Sequence, residues 1–155
     1  MILRRLYLYV VSAAALVLLA TGLTLLGTTV LLFVFHDPTA DSNRSQLAIF
    51  TAMTVVALPV WGVHFWFARR FAMRDPYERA AALRRLYLYW ACLAAAVATL
   101  IALGDAIAQF LLPVLDAQTF NSLVASQFTW AAIVFVAIFG FHWWTASSDR
   151  AAAGE

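Results

Sequence analysis

Two histidines stand in similar aromatic stretches, "GVHFWFARR" at residues 62–70 and "GFHWWTASSDR" at residues 140–150. Imidazole is a common axial ligand of haem iron, and four-helix bundles build cofactor sites from side chains on facing helices. His64 and His142 are therefore candidate axial ligands of a haem b. Two alternatives stay open: hydrogen bonds to Tyr9 or Tyr89, which would make the histidines structural, and contact with a quinone or another ligand.

Residues near the histidines could complete a cofactor site. Guanidinium groups pair well with carboxylates, so the haem propionates could bind Arg69 and Arg70. Aromatic side chains could form the pocket wall, and the candidates are Tyr9, Tyr89, Trp61, Trp66, Trp143 and Trp144. The sequence contains no glycine-rich phosphate loop, HExxH pair or GxSxG elbow, which favours a role without catalysis. His36, Asp37 and Asp41 lack a recognisable ligand spacing, so we predict no metal site.

The composition indicates that the elements carrying these residues lie in a membrane. The chain of 155 residues is 65% hydrophobic and 12% charged, whereas soluble domains carry about 25% charged residues. Four apolar runs each reach the roughly 20 residues that a membrane-spanning helix needs. They are residues 7–35, 47–68, 86–112 and 123–144. We therefore expect an all-α integral membrane protein, a bundle of four transmembrane helices in a single membrane domain over residues 1–155.

The arginines predict the orientation of that bundle. The chain has no lysine, and nine of its ten arginines fall on one side of the predicted helices, all except Arg44. The positive-inside rule then places both termini in the cytoplasm. Each arginine near the surface could gain about 1 kcal/mol from anionic lipid, so no nucleic-acid partner is needed to explain them. The candidates for headgroup contact are Arg4, Arg5, Arg84 and Arg85.

The heptapeptide "LRRLYLY" occurs twice, at residues 3–9 and 83–89. Each copy precedes an apolar run, and each following run closes on one of the two histidines. This pattern predicts a duplicated helical hairpin, with one repeat over about residues 3–70 and a second, parallel repeat over about 83–150. The two tyrosines of each copy are two residues apart, which corresponds to about 200° of rotation around a helix. If Tyr7 faces lipid, Tyr9 therefore faces the bundle, and the same argument applies to Tyr87 and Tyr89.

Small residues indicate where helices approach closely. Alanine recurs every fourth residue in the third run, and Ser12 lies in a small-residue patch of the first. The predicted packing residues are Ala94, Ala98, Ala102, Ala106 and Ser12, which would place the first and third spans at the bundle centre. The segment "DPYE" at residues 75–78 predicts a helix start, with Asp75 as the cap and Glu78 completing a capping box. We expect the third span to continue from this start.

The two LRRLYLY copies with their His-Trp and His-Phe-Trp endings resemble a family of small prokaryotic membrane proteins catalogued as a domain of unknown function. The resemblance implies the two-hairpin architecture in a prokaryotic cytoplasmic membrane and implies no reaction. We therefore expect an accessory, scaffold or assembly subunit, whose partner is another membrane protein or a further copy of the chain. The alternative is a small bis-histidine haem b electron carrier.

Overall fold

The protein is all-helical in a computed structural model, which describes residues 2–35, 44–116 and 118–152. Four long helices form the body: α1 (Ile2–Val34), α2 (Arg44–Arg74), α4 (Ala82–Val114) and α5 (Ser122–Ala151), with a single turn, α3 (Pro76–Arg79), between α2 and α4. Each long helix is long and apolar enough to cross a membrane, as predicted from the apolar runs. His36, Asp37 and Asp41 lie outside the described residues.

The long helices form two antiparallel pairs. α1 packs along α2, and α4 packs along α5. The start of α1, the end of α2, α3, the start of α4 and the end of α5 meet at one end of the bundle, which we call the arginine-rich end. α1 packs more extensively on α5 than on α4. The predicted pairing of the first and third spans is thus not the main contact between the two hairpins, although α1 and α4 have the largest buried shares of the four spans, 44% and 28%.

The helix that starts at Asp75 is only one turn long. The Asp75 carboxylate accepts a hydrogen bond from the Tyr77 amide at 2.9 Å, which confirms its capping role. The chain then leaves the helical conformation at Ala81, where ψ is 131°, and α4 begins at Ala82. The capping box does not form, since the Asp75 amide already donates to the Phe71 carbonyl. The expectation of one continuous third helix from Asp75 is wrong, and the break falls in alanines, whose helix propensity is the highest.

The packing stripe of α4 differs from the predicted one. Ala102 and Ala106 are buried, but Ala94 is exposed and Ala98 is only partly buried. The other buried alanines of α4 are Ala91 and Ala95. An exact four-residue spacing advances about 40° per step around a helix, so the three steps from Ala94 to Ala106 turn by about 120° and cannot all stay in one interface. The buried stripe instead has spacings of four, seven and four residues and stays on one face of α4; its members are Ala91, Ala95, Ala102 and Ala106.

One tryptophan locks α5 onto α1 in the half of the bundle away from the arginine-rich end. Trp130 lies directly over Gly27, and its indole N–H donates to the Leu23 carbonyl at 2.7 Å. A Cβ atom on Gly27 would lie only 1.7 Å from the indole nitrogen. The absence of a side chain at Gly27 therefore creates the slot that Trp130 fills.

Candidate functional site

A buried ion pair lies at the arginine-rich end. Arg84, from the second LRRLYLY copy, is 1% exposed. Its Nε atom donates to Asp149 Oδ2 at 2.6 Å and its Nη2 atom to Asp149 Oδ1 at 3.2 Å. Its Nη1 atom lies 3.5 Å from the Tyr9 hydroxyl, a weak hydrogen bond. Because Arg84 is enclosed and bound twice by one carboxylate, it connects α4 to α5 and α1.

The placement of Arg84 corrects one expectation. We expected this side chain at the lipid headgroups, together with Arg4, Arg5 and Arg85. Arg85 is exposed, whereas the guanidinium of Arg84 turns inward to Asp149. Neighbouring residues on a helix point about 100° apart, which allows Arg84 to face the bundle while Arg85 points outward.

A second carboxylate holds the start of α1. Glu78 in α3 accepts hydrogen bonds from Arg4 Nη2 and Arg5 Nε, both at 2.7 Å. Glu78 is buried, while Arg4 and Arg5 remain partly exposed. The hydrogen bond from Arg5, followed by the positive charges of Arg5 and Arg4, lowers the pKa of Glu78 below its usual value and outweighs the opposing effect of burial. Glu78 is therefore a carboxylate anchor for α1.

A chain of neutral hydrogen bonds continues from the ion pair into the bundle. The Tyr9 ring packs against the Tyr87 ring, with centroids 5.6 Å apart. The Tyr87 hydroxyl accepts a hydrogen bond from Trp61 Nε1 at 3.2 Å and lies 3.2 Å from His142 Nε2. His142 Nδ1 lies 2.8 Å from the Ile138 carbonyl. A carbonyl can only accept, so Nδ1 carries the proton, and in the neutral ring Nε2 accepts from Tyr87.

His64 makes the corresponding contacts near the bundle surface. Its Nδ1 atom lies 2.7 Å from the Val60 carbonyl, and its Nε2 atom lies 3.2 Å from the Tyr7 hydroxyl. Hydrogen bonds from the histidines to tyrosine were one of the alternatives to haem ligation, with Tyr9 and Tyr89 as the predicted partners. The partners are instead Tyr7 and Tyr87, the earlier tyrosine of each motif.

The predicted alternation of the tyrosines is present, but it is reversed between the two motifs. Tyr7 is 59% exposed and Tyr9 is 8% exposed, whereas Tyr87 is 4% exposed and Tyr89 is 47% exposed. The same seven letters therefore present different faces to the bundle. Tyr9 and Tyr87 lie in the core cluster with Phe65, Leu88 and Ala146, while Tyr7 and Tyr89 lie on the outside.

The two histidines are not arranged as a pair of iron ligands. Nε2 of His64 is hydrogen-bonded to Tyr7 in the α1–α2 hairpin, and Nε2 of His142 is hydrogen-bonded to Tyr87 in the α4–α5 hairpin. The ring of Trp61 packs near His142, with centroids 6.2 Å apart. Tryptophan and tyrosine thus occupy the space around His142, and each Nε2 atom has a protein partner. The described side chains do not fit an iron centre held between these two rings.

The other candidate cofactor residues contact one another. Arg69 lies over the Trp144 ring at 4.7 Å, and Arg70 over the Trp66 ring at 5.0 Å. Trp143 stacks on Phe139 and is covered by Arg150 at 5.3 Å. Such cation–π contacts contribute about 0.5–1 kcal/mol at exposed sites. These are three separate arginine–tryptophan contacts at the arginine-rich end.

Other polar residues of the spans do not form a reactive group. Ser12 is fully buried, and its hydroxyl oxygen has no hydrogen-bond partner among the described residues, as is the case for Thr24 and Thr54. Cys92 is buried in α4. Within residues 2–35, 44–116 and 118–152, no three histidine, cysteine or acidic side chains are close enough to hold a metal ion.

Sequence reasoning did not identify Asp149, Glu78 as an arginine partner, or the pair of Trp130 and Gly27. Asp149 could have been found, because an acid seven residues after His142 is two helical turns further along the same face. Trp130 was also visible as the one tryptophan far from the arginine-rich end. No local pattern links it to Gly27, because their contact spans more than a hundred residues of chain.

One family of proteins matches this chain, over residues 5–132, and it is described as a domain of unknown function (DUF5671). The match covers most of the chain, so the chain belongs to this family. No curated protein and no solved structure matches the chain. The family assignment agrees with the resemblance inferred from the LRRLYLY motifs.

Proposed function

We propose that this protein is a multi-pass subunit of a prokaryotic cytoplasmic membrane that assists or scaffolds another membrane protein and catalyses no reaction itself. Nine arginines lie at one end of the bundle, while α2 begins with Arg44 at the other. Retention of positive charge on the cytoplasmic side supports an orientation with the arginine-rich end in the cytoplasm. The amino and carboxyl ends of the described chain both lie there.

The observation that carries this proposal is the internal use of the polar side chains. Glu78 is held by Arg4 and Arg5, and Asp149 is held by Arg84. The Tyr87 hydroxyl is shared between Trp61 and His142. These groups could have served as acids, bases or ligands, and here they join α1, α2, α3, α4 and α5 to one another. A buried polar network with every member paired stiffens a bundle.

Hairpin duplication followed by divergence accounts for this arrangement. In both hairpins a histidine bonds the carbonyl four residues earlier and the first tyrosine of an LRRLYLY copy. We attribute this shared pattern to two parallel repeats. The second copy is enclosed, with His142 at 1% exposure, while the first lies at the surface. The second hairpin thus supplies the core of the buried polar network, and the first hairpin leaves α2 available for contacts outside the bundle.

α2 is the helix least covered by the rest of the chain. Only 11% of its most apolar stretch is buried, compared with 44% for α1. A shallow apolar groove runs between α1 and α2, lined by the small residues Ala15, Ala52 and Ala57 together with Leu18, Met53, Val56 and Val60. Small residues allow close helix approach in lipid. We assign this groove to an apolar transmembrane helix of a partner protein.

Photo-crosslinking in native membranes tests this assignment. A photoreactive amino acid at Val56, which lines the groove and is 63% exposed, should form a discrete adduct with one other membrane protein, identified by mass spectrometry in repeated preparations. Leu100 in α4 is 72% exposed and serves as the control position, which should yield lipid adducts. Ala52→Leu should abolish the Val56 adduct because it fills the groove.

Two outcomes would contradict the proposal. Lipid adducts at Val56 would show that the groove faces the bilayer. An adduct with the mass of two copies of this chain would show self-association instead of an accessory role towards another protein.

A further inference from the structure

We propose that a cavity at the arginine-rich end binds a phosphate-bearing anion, either the headgroup of an anionic phospholipid or free phosphate. The cavity lies between α3, α4 and α5 and has a volume of about 130 Å³. Three arginines line it: Arg79, Arg85 and Arg150. This site is separate from the α2 groove, and its test does not depend on the accessory role proposed above.

Arg79 and Arg150 keep their positive charge towards the cavity because their partners are neutral. Arg79 donates from Nε to the Ala72 carbonyl at 3.2 Å and from Nη1 to the Ala152 carbonyl at 3.4 Å. Arg150 donates from Nη2 to the Ser147 hydroxyl at 3.3 Å and covers the Trp143 ring. A guanidinium carries five N–H donors. Each of the two therefore retains donors for a ligand, and its position is fixed by the contacts it already makes.

Asp149, the one acid among the described residues of the cavity wall, does not cancel this charge. Asp149 lines the cavity, but both of its carboxylate oxygens are bound by Arg84. Arg84 is almost fully buried behind it, so the two side chains form a neutral pair. The remaining charge is that of Arg79 and Arg150, whose partners are neutral, and this charge matches an anion. Guanidinium groups bind phosphate oxygens with two parallel hydrogen bonds, and such charge-assisted bonds are the strong ones.

The shape and depth of the cavity fit a phosphate group at a membrane surface. Its floor is apolar, formed by Leu88 and Ala146, both of which are buried. The exposed ring of Tyr89 forms part of the wall, as expected for tyrosine at headgroup depth. The volume leaves room for a phosphate group. A phospholipid could place its phosphate here while its acyl chains extend past Tyr89 into the bilayer.

A binding experiment on the full chain, delipidated in a nonionic detergent, tests the site. Three probes are titrated separately: a short-chain phosphatidylglycerol, the matching phosphatidylcholine, and inorganic phosphate. The change in melting temperature and the dissociation constant are measured for each probe. The anionic lipid should bind more tightly than the zwitterionic one. Each Arg→Gln change at Arg79 or Arg150 should weaken binding about fivefold, which corresponds to the loss of one arginine near the surface.

Variants separate binding from folding. Arg150→Gln removes a side chain whose contacts are one hydroxyl and one ring face, so it should keep the fold even if Arg79→Gln does not. Arg74→Gln removes an exposed arginine at the same end of the bundle but outside the cavity, and it should bind like the wild type.

Tight binding of the anionic lipid alone identifies a lipid site, and equal saturation by inorganic phosphate identifies a free-phosphate site. Equal affinity for both lipids with no binding of inorganic phosphate, or wild-type affinity in Arg150→Gln, would overturn the proposal.

Discussion

Replacing Gly27 with alanine should loosen the contact between α1 and α5. The added Cβ would lie 1.7 Å from Trp130 Nε1 and 2.0 Å from Cε2. Ordinary carbon contacts are about 3.5 Å, so the indole would have to move by about 2 Å. That displacement breaks the 2.7 Å hydrogen bond to the Leu23 carbonyl. The change therefore combines overpacking with the loss of one interhelical hydrogen bond.

The size of the effect follows from these two losses and one gain. Overpacking of a well-filled interface costs about 1–3 kcal/mol, and an interhelical hydrogen bond in lipid contributes about 1 kcal/mol. Alanine in place of glycine favours the helix by about 1 kcal/mol. We expect Gly27→Ala to lower the free energy of unfolding by about 1–3 kcal/mol.

Unfolding by a denaturing detergent in mixed micelles measures this difference. Gly104→Ala is the matched control, because a Cβ there meets no atom within 4 Å, so only the helix-propensity gain remains. In a Trp130→Ala background the clash is absent, and Gly27→Ala should no longer destabilise. If Gly27→Ala were as stable as Gly104→Ala, the close packing of Trp130 on Gly27 would be refuted.

Two further predictions concern the arginine-rich end. The pKa of Glu78 is lowered in the folded protein, so the stabilising contribution of Glu78 is present above its unfolded pKa and is lost as pH falls below about 4.5. The difference in free energy of unfolding between wild type and Glu78→Gln should therefore shrink as pH falls over that range. A constant difference would contradict the ion-pair role. Tyr87→Phe should cost about 1–3 kcal/mol because it leaves Trp61 Nε1 and His142 Nε2 without their shared partner. Tyr7→Phe, at an exposed site, should change stability by less than about 0.5 kcal/mol. Equal effects of the two tyrosine changes in the same detergent assay would argue against an enclosed second hairpin.

The helices could be predicted from sequence because lipid imposes a strong constraint. Long apolar runs must be helical to satisfy their own backbone groups. Three of the four predicted spans lie inside α2, α4 and α5, and the first, 7–35, ends one residue beyond α1. Asp75 also caps the helix as predicted. The formation of the spans and the Asp75 cap both depend on local chemistry, which the sequence shows directly.

The site could not be predicted to the same extent, because identical letters take different surroundings. Arg4 and Arg84 hold the same position in the LRRLYLY motif, yet Arg4 remains partly exposed on Glu78 and Arg84 is buried on Asp149. Local sequence shows that Tyr7 and Tyr9 point apart, but not which of them faces the core. That choice depends on helix rotation within the bundle, which is set by distant contacts such as Trp130 on Gly27.

The most direct test of the buried polar network is a double-mutant cycle on Arg84 and Asp149. The free energy of unfolding is measured for Arg84→Met, Asp149→Leu and both together. Asp149→Leu strands a guanidinium that is 1% exposed, and removing one partner of a buried ion pair costs about 3–5 kcal/mol. Arg84→Met should cost less, because Asp149 is partly exposed. The double variant should be closer to wild type than the sum of the single changes, by about 0.5–3 kcal/mol. Additive changes, or single variants as stable as the wild type, would contradict the account that these charges hold the bundle together.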